Sequence, residues 1–447
     1  MDDGEVVAIA TGIPKKKGET VSAPISLSYS GIVPNCEVLQ GDVASLAEVW
    51  CGPSAAGSNL LVLGENLRTM RTLLPRFRHK VRLVYIDPPF ATGMAFHSRS
   101  RTHAYDDMPA DGQYAEFLRQ RLLLLKEFLA EDGSIYVHLD QHAVFFAKLL
   151  MDEVFGASQM RAFITRRRSN PKNYTHKTFG NVCDYLLFYS KSADYVWNRP
   201  VEPWTEERSL KEYQCVEKDG RRYKKVPVHA PGVRHGATGQ PWRGTLPPPG
   251  KHWQYPPSVL DELDRQGHIY WSPTGNPRRK VYLDHSEGVA IQNIWQDYRD
   301  AFNQNHLITG YPTEKNGDML DLIVRASSNR GDIVMDCFAG SGTTLEAAAR
   351  RGRAWIGIDN SPEALRATLG RFAGGLHRMG DFVQKDAPAA RQVRLFDAED
   401  GEPNQERGPI LDFSWMAEEA MLSVIGPLRD WWTEQIEPAG LKRKSAL

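Results

Sequence analysis

The chain has 447 residues, 41% hydrophobic and 25% charged, with 55 basic side chains matched by 55 acidic ones. That size supports one large core plus a smaller lobe. No window approaches the roughly 18 apolar residues of a membrane span. The opening MDDGEVVAIATG lacks the basic-then-apolar order of a signal peptide, so the expected location is the cytoplasm. The five cysteines (Cys36, Cys51, Cys183, Cys215, Cys337) form no C-x-x-C pair, and no histidine sits in an H-E-x-x-H spacing. Neither a disulfide framework nor a metal site is expected.

The zero net charge hides a segregated distribution. Residues 161–180 hold six Lys/Arg and no acid, and residues 218–251 hold eight Lys/Arg against one acid. Residues 395–420 hold eight acids against Arg407 alone. A basic middle and an acidic tail leave a nucleic-acid partner open, although the average alone argues against one.

In chain order, residues 1–57 show no sustained period and read as an N-terminal arm. NLLVLGEN, LRTMRTLLPRF and VRLVYI then read as strand, helix and strand, ending at Asp87. FLRQRLLLLKEFLAEDG has a helical stripe up to Gly133, SIYVHLD alternates as a strand, and AVFFAKLLMDEVFG is helical to Gly156. Strands alternating with helices of this length predict a mostly parallel α/β sheet with helices on both faces. Residues 157–300 are rich in Pro, Gly, Trp, Tyr and basic residues and read as an inserted lobe. The α/β pattern resumes over 301–375 with GDMLDLIVRASS, DIVMDCF, AGSGTTLEAAARRG and RAWIGIDNSPEALRATLGRF, so one sheet is built from two separated stretches. Residues 376–447 read as an acidic linker and a tail carrying Trp415, Trp431 and Trp432.

Two constellations carry chemistry. The strand DIVMDCF runs into Ala339-Gly340-Ser341-Gly342-Thr343-Thr344 and straight on into a helix. Glycines there let the backbone turn sharply and approach a ligand. Asp359 ends the next strand about 20 residues on, where a nucleoside-binding α/β unit places its ribose-holding acid. The loop meets neither the P-loop pattern nor G-x-G-x-x-G, so a nucleoside cofactor without phosphates fits better. The other constellation, Asp87-Pro88-Pro89-Phe90, follows a hydrophobic strand. Its prolines fix the backbone, leaving the Asp87 carboxylate and the Pro88 carbonyl as a rigid pair of acceptors beside an aromatic ring. Such a clamp can hold both hydrogens of an exocyclic base amine, aim its lone pair, and stack the flipped base on Phe90.

These residues resemble the amino-type DNA methyltransferases of restriction–modification systems, in the β class whose D-P-P-[YF] motif precedes F-x-G-x-G. The likeness extends over residues 58–375, through DGSIYVHLD, LLMDEVFG, KVYLDHSEGVAIQNIWQD and YPTEKNGDMLDLIVRASSNRGDIVMDCFAGSGTT. It implies a Rossmann-like methyltransferase fold with S-adenosyl-L-methionine as cofactor and 157–300 as target-recognition region. By the same likeness Asp336, Phe338, Gly340, Gly342 and Thr343 line the cofactor pocket and Asp359 meets the ribose. Lys315 falls near the cofactor's methionine end, and Glu65 and Asn66 near its adenine. Asn316 and Cys337 stand where the family usually has proline, and Ala91 where it commonly has asparagine.

Adenine N6 in double-stranded DNA is the favoured target. Cytosine N4 is the nearest alternative; the cytosine enzymes of this family more often begin the tetrad with serine, so Asp87 favours adenine. Cytosine C5 chemistry is excluded by the lack of a Pro-Cys nucleophile. Arg166, Arg167, Arg168, Lys172, Lys177, Arg221, Arg222, Lys224 and Lys225 are the candidates for meeting DNA. A rival from another class is a DNA-binding specificity subunit, active only in a restriction complex. The tryptophan-bearing tail leaves room for a second protomer or a restriction subunit.

Overall fold

A computed structural model describes residues 27–53, 59–90, 95–97, 103–106, 112–170, 177–300, 307–309, 311, 314–374, 377–378 and 408–436. Ala91, Lys172, most of the N-terminal arm and the acidic linker lie outside them. The described chain divides into two compact units, the second spanning Arg199–Gln292.

The first unit is built on a ten-stranded sheet. Its strands and helices in chain order are β1 (Leu46–Cys51), β2 (Leu60–Leu63), α1 (Asn66–Phe77), β3 (Val81–Ile86), α2 (Gly112–Phe128), β4 (Leu129–Leu139), α3 (Val144–Phe155), β5 (Met160–Arg167), β6 (Cys183–Ser190), β7 (Ile294–Trp295), α4 (Gly317–Ser327), β8 (Ile333–Asp336), α5 (Thr343–Arg350), β9 (Ala354–Asp359), α6 (Pro362–Phe372), β10 (Ser414–Glu418) and α7 (Leu422–Ile436). Across the sheet they run β1-β10-β2-β9-β8-β3-β4-β6-β5-β7. The six from β10 to β4 are mutually parallel, while β1, β6 and β5 pair antiparallel to their inner neighbours. The parallel α/β sheet expected from the alternating elements is therefore present, and β8, far along the chain, lies directly against β3.

Continuous burial explains the central strands. Leu83, Val84, Ile86, Val334, Met335, Ile356 and Ile358 are fully buried, as strands covered by helices on both faces require. One helix end differs from expectation. The α2 helix stops at Phe128, and the chain enters β4 at Leu129 because residue 129 already pairs with Val81. Three further regions differ for one common reason, that their places in the sheet are set by pairing with distant strands, which the local pattern does not state. Residues 46–51 of the expected arm form β1. Residues 160–167 and 183–190, within the expected insertion, are strands of the main sheet, so the second unit begins only at Arg199. The expected tail supplies β10, threaded between β1 and β2, and its Trp415 and Trp432 are fully buried. Trp432 packs with Trp50 and Phe413, and Trp355 with Phe372 and Phe413. Both tryptophans are thus core residues and do not form a docking surface.

The second unit has its own core of Val228, Trp242, Trp253, Leu260 and Ile269. Its antiparallel sheet joins Cys215–Val216, Arg222–Pro227, Pro277–Tyr282 and Ile269–Trp271. Strand period sends Lys224, Val281, Val226 and Arg279 to one face with Ile269, and Lys225, Lys280, Arg278 and Tyr270 to the other.

Candidate active site

The parallel strands all present their C-terminal ends on one side, where an open α/β sheet forms its ligand crevice. At the end of β8 the loop is held from several sides. Asp336 accepts from the Phe338 N–H (3.0 Å) and the Thr344 hydroxyl (2.7 Å). Burial pushes the Asp336 carboxyl up to about 7, against those two donors. Asn66 Nδ2 donates to the Cys337 carbonyl (2.8 Å), Thr368 to that of Gly340 (2.9 Å) and Arg371 Nε to that of Ser341 (2.7 Å). Gly340 and Gly342 have φ of 52° and 72°, a left-handed conformation that costs other residues energy. A Cβ on Gly342 would also come within 2.7 Å of Thr368.

At the end of β3, Asp87 is clamped by Lys315, whose Nζ lies 2.6 Å from Oδ2 and 4.9 Å from the Phe90 ring centroid. Tyr114 donates its hydroxyl proton to the Pro89 carbonyl. Asp87 Oδ1 is buried with no hydrogen-bond partner, and His138 Nδ1 lies 3.9 Å from it. Asp87 and the glycine loop open into one cleft of about 330 Å³, lined by Tyr85, Asp87, Tyr311, Glu314, Lys315, Asp336, Phe338, Ala339, Gly340, Ser341, Thr343 and Thr344.

Most expected cofactor residues therefore meet Asp87 in a single cavity. Asp359 is placed otherwise: it is not part of the lining, and its carboxylate accepts from Gly340 N (2.8 Å) and Ser361 N (2.9 Å), tying β9 to the loop. Glu65 and Asn66 also stand behind the lining. Glu65 caps α1 by accepting from Leu67 N and Arg68 N, and Arg121 bridges Glu65 (2.6 Å) to Asn66 (2.6 Å). Asn316 is the N-cap of α4, accepting from Met319 N, which gives this departure from the usual proline a local reason. Tyr85, Tyr311 and Glu314 were not singled out from the sequence. Tyr85 had a signal, because it stands two residues before Asp87, on the same strand face. Glu314 had none: it is buried against Arg371 and accepts from Thr309 N (2.9 Å).

The basic candidates separate sharply. Arg166 is fully buried between Asp184 (2.8 Å) and Asp300 (2.7 Å) and cannot reach DNA, which corrects its expected role. The run of three arginines looked like a surface patch because its strand pairing is invisible in sequence. Arg167 folds back on Ser169 and Asn170, whereas Lys177 is exposed. In the second unit Arg221 pairs with Asp219 (2.8 Å), Arg222 donates to the Tyr213 carbonyl (3.3 Å), and Lys224 pairs with Glu212 (3.5 Å). Lys225 is exposed over the Tyr270 ring at 3.5 Å. Two residues not singled out beforehand, Lys251 and Arg278, are also exposed, and neither they nor Lys225 has an ion-pair partner among the described residues. Burial first, then the charges of Lys251 and Arg278, lower the His229 pKa, a mark of local positive potential.

A profile of the DNA methylase family of N6/N4 methyltransferases matches residues 81–369. The Type II methyltransferase M.EcaI of Enterobacter cloacae is 47% identical over 369 residues, covering 81% of each chain. The Mod subunit of the Type III restriction-modification enzyme StyLTI of Salmonella typhimurium is 26% identical over 331 residues, covering 65% of this chain and 49% of that one, so this chain spans about half its length. Among solved structures, the PvuII DNA methyltransferase, described as cytosine-N4-specific, overlaps with a TM-score of 0.40 at 15% identity, covering 75% of this chain and 92% of that one. The chain belongs to the N6/N4 DNA methylase family. It is a DNA methyltransferase of the amino class found in restriction–modification systems. Among the described residues no helix is long and apolar enough to cross a membrane.

Proposed function

We propose that the protein transfers a methyl group from S-adenosyl-L-methionine to adenine N6 in double-stranded DNA. The observation that carries this reading is the shared cleft: Asp87 and the glycine loop, about 250 residues apart in sequence, bound one cavity joined by the Lys315–Asp87 ion pair. Its lining pairs charged groups (Asp87, Lys315, Glu314) with loop hydroxyls and an aromatic ring, and has no glycine-loop lysine for phosphates. When bound, the cofactor supplies an electrophilic methyl carbon on a sulfonium.

The remaining work belongs to this chain. The unpartnered Asp87 Oδ1 and the Pro88 carbonyl accept the two amine hydrogens, which draws the nitrogen toward tetrahedral geometry and frees its lone pair. Lys315 fixes the carboxylate in one orientation, so little reorganisation is needed during transfer. Phe90, half-buried beneath Lys315, is the platform for a base turned out of the helix. Asp87, in place of the serine commoner among the family's cytosine enzymes, favours adenine. Lys225, Lys251 and Arg278, exposed and without ion-pair partners, are the side chains assigned to phosphates. A DNA substrate places the working enzyme in the cytoplasm. Tritium transfer from labelled cofactor to duplex DNA tests the reading. Wild type labels the duplex and Asp87→Ala does not; equal labelling by both would overturn the assignment.

A further inference from the structure

A row of buried polar side chains runs away from the cleft across four neighbouring strands. Tyr85 lies on β3, His138 on β4, Asp184 on β6 and Arg166 on β5, and β3-β4-β6-β5 are adjacent in the sheet. The Tyr85 hydroxyl is 2.7 Å from His138 Nδ1, and His138 Nε2 is 2.9 Å from Asp184 Oδ2. Arg166 binds the same Asp184 oxygen at 2.8 Å and reaches Asp300 at 2.7 Å. His138 and Arg166 are fully buried, Asp184 is 2% and Tyr85 1% exposed, and Tyr85 is also one of the residues lining the cleft. Burying this many ionisable groups is costly unless each has a role or a partner.

Methylation of an amine creates a proton problem. When the N–CH₃ bond forms and the donor's S–CH₃ bond breaks with its electron pair left on sulfur, the nitrogen carries a positive charge and one N–H proton has to leave. Asp87 is already matched by Lys315. Asp336 already spends both carboxylate oxygens on the Phe338 N–H and the Thr344 hydroxyl.

We propose, resting on the methyl-transfer reading above, that His138 takes up this proton through the Tyr85 hydroxyl, with Asp184 placed as the countercharge of the imidazolium that results. The Asp184 carboxylate lies 2.9 Å from Nε2 without a hydrogen bond to it, and Nδ1 faces the Tyr85 hydroxyl at 2.7 Å. Once the methylated nitrogen is tetrahedral, one of its two N–H protons leaves the Asp87–Pro88 grip for Tyr85 Oη as the phenol's own proton moves to Nδ1. The product is a neutral methylamine and an imidazolium, which later returns its proton to solvent. The charge balance favours that outcome. Asp87, Asp184 and Asp300 present three carboxylates to the row, against the two fixed cations Lys315 and Arg166. One added proton neutralises the set. The groups facing the imidazole are Tyr85 and Asp87 from β3, Asp184 from β6 and the Phe90 ring at 6.1 Å between centroids, with Arg166 and Lys315 acting through Asp184 and Asp87. His138 acts through Tyr85 and is thus a positioning residue; Tyr85 makes the contact.

The test has two independent arms. Histidine-selective ¹⁵N NMR of the protein alone reads the imidazole: an Nδ1 that accepts from the Tyr85 hydroxyl is expected, and its signal should change in Tyr85→Phe. Single-turnover methylation across pH reads the proton. The wild-type rate falls on the acid side, while His138→Gln lowers kcat about 10²-fold at an unchanged KM for DNA and removes that acid limb. Should His138→Gln fail to fold, Tyr85→Phe, which deletes only the hydroxyl, carries the same kinetic expectation. A proton on Nδ1, or a His138→Gln or Tyr85→Phe enzyme within about threefold of wild type with an unchanged pH profile, overturns the relay and leaves the methyl-transfer reading standing. A wild type inactive on both adenine and cytosine overturns both.

Discussion

Arg166 and Arg278 are the same side chain put to opposite uses. In the first unit, Arg166 is fully buried between two carboxylates and helps fix Asp184, the neighbour of His138. In the second, Arg278 is exposed beside Lys251 and Lys225, and none of the three has an ion-pair partner among the described residues. A buried cation acts by holding a neighbour still, and its removal leaves uncompensated charge in a poorly solvated place. An exposed and unpaired cation keeps its full charge for an external anion at little cost to stability. What separates the two classes is pairing and burial, and a count of lysines and arginines along the chain merges them.

The largest effect that can break this contrast is on the chemistry. Asp87→Ala should lower kcat by about 10²–10³-fold in a steady-state methylation assay, because it removes an acceptor poised at the reacting nitrogen. Next comes Arg166→Met, which strands Asp184 and Asp300. Chemical denaturation should show a loss of roughly 3–5 kcal/mol, with DNA affinity of the folded fraction unchanged. If Arg166→Met weakened DNA binding without touching stability, the buried assignment would fail.

The pH dependence of stability sharpens the same point. Desolvation alone would raise the Asp184 carboxyl, yet His138 and Arg166 hold it well below the usual carboxylate range. A folded-state pKa below the unfolded one stabilises the fold above the unfolded value of about 4, and that contribution is lost as pH falls further. Stability measured between pH 6 and pH 3 should therefore fall less steeply in Asp184→Asn than in wild type.

A smaller change is expected for Lys225→Ala with Arg278→Ala. The double variant should keep its melting temperature and weaken DNA binding across sequences alike, with the slope of log affinity against log salt shallower by about 1–2. Smallest of all is Lys224→Ala, on the opposite face of the same strand and paired with Glu212, for which an unchanged salt slope is expected.

The sequence made the cleft legible because its two halves are local motifs. A hydrophobic strand running into D-P-P-F and another running into a glycine loop each declare a strand end, and the alternating elements imply that such ends share one side of a sheet. The second tier was illegible for an equally physical reason. His138 and Asp184 lie 46 positions apart, and nothing along the chain states that β6 turns back antiparallel onto β4 to bring them within 2.9 Å. The ARRAY of three arginines at 166–168 could not be sorted until strand pairing placed the first of them inside. The tail's place in the sheet was illegible because SWMAE is five residues long and follows a lengthy acidic stretch, yet it supplies a strand near the sheet's edge. Asp359 and Glu65 show the converse: correctly positioned by pattern, they spend their carboxylates on backbone N–H groups that hold the loop and the first helix.

The central claim is that the Asp87 clamp methylates an exocyclic adenine amine. Mass spectrometry of nucleosides from the DNA of a non-methylating bacterial host expressing the protein tests it most directly. N6-methyladenine should appear with the wild type and vanish with Asp87→Ala; N4-methylcytosine as the only new nucleoside, or N6-methyladenine persisting in the Asp87→Ala host, would contradict it.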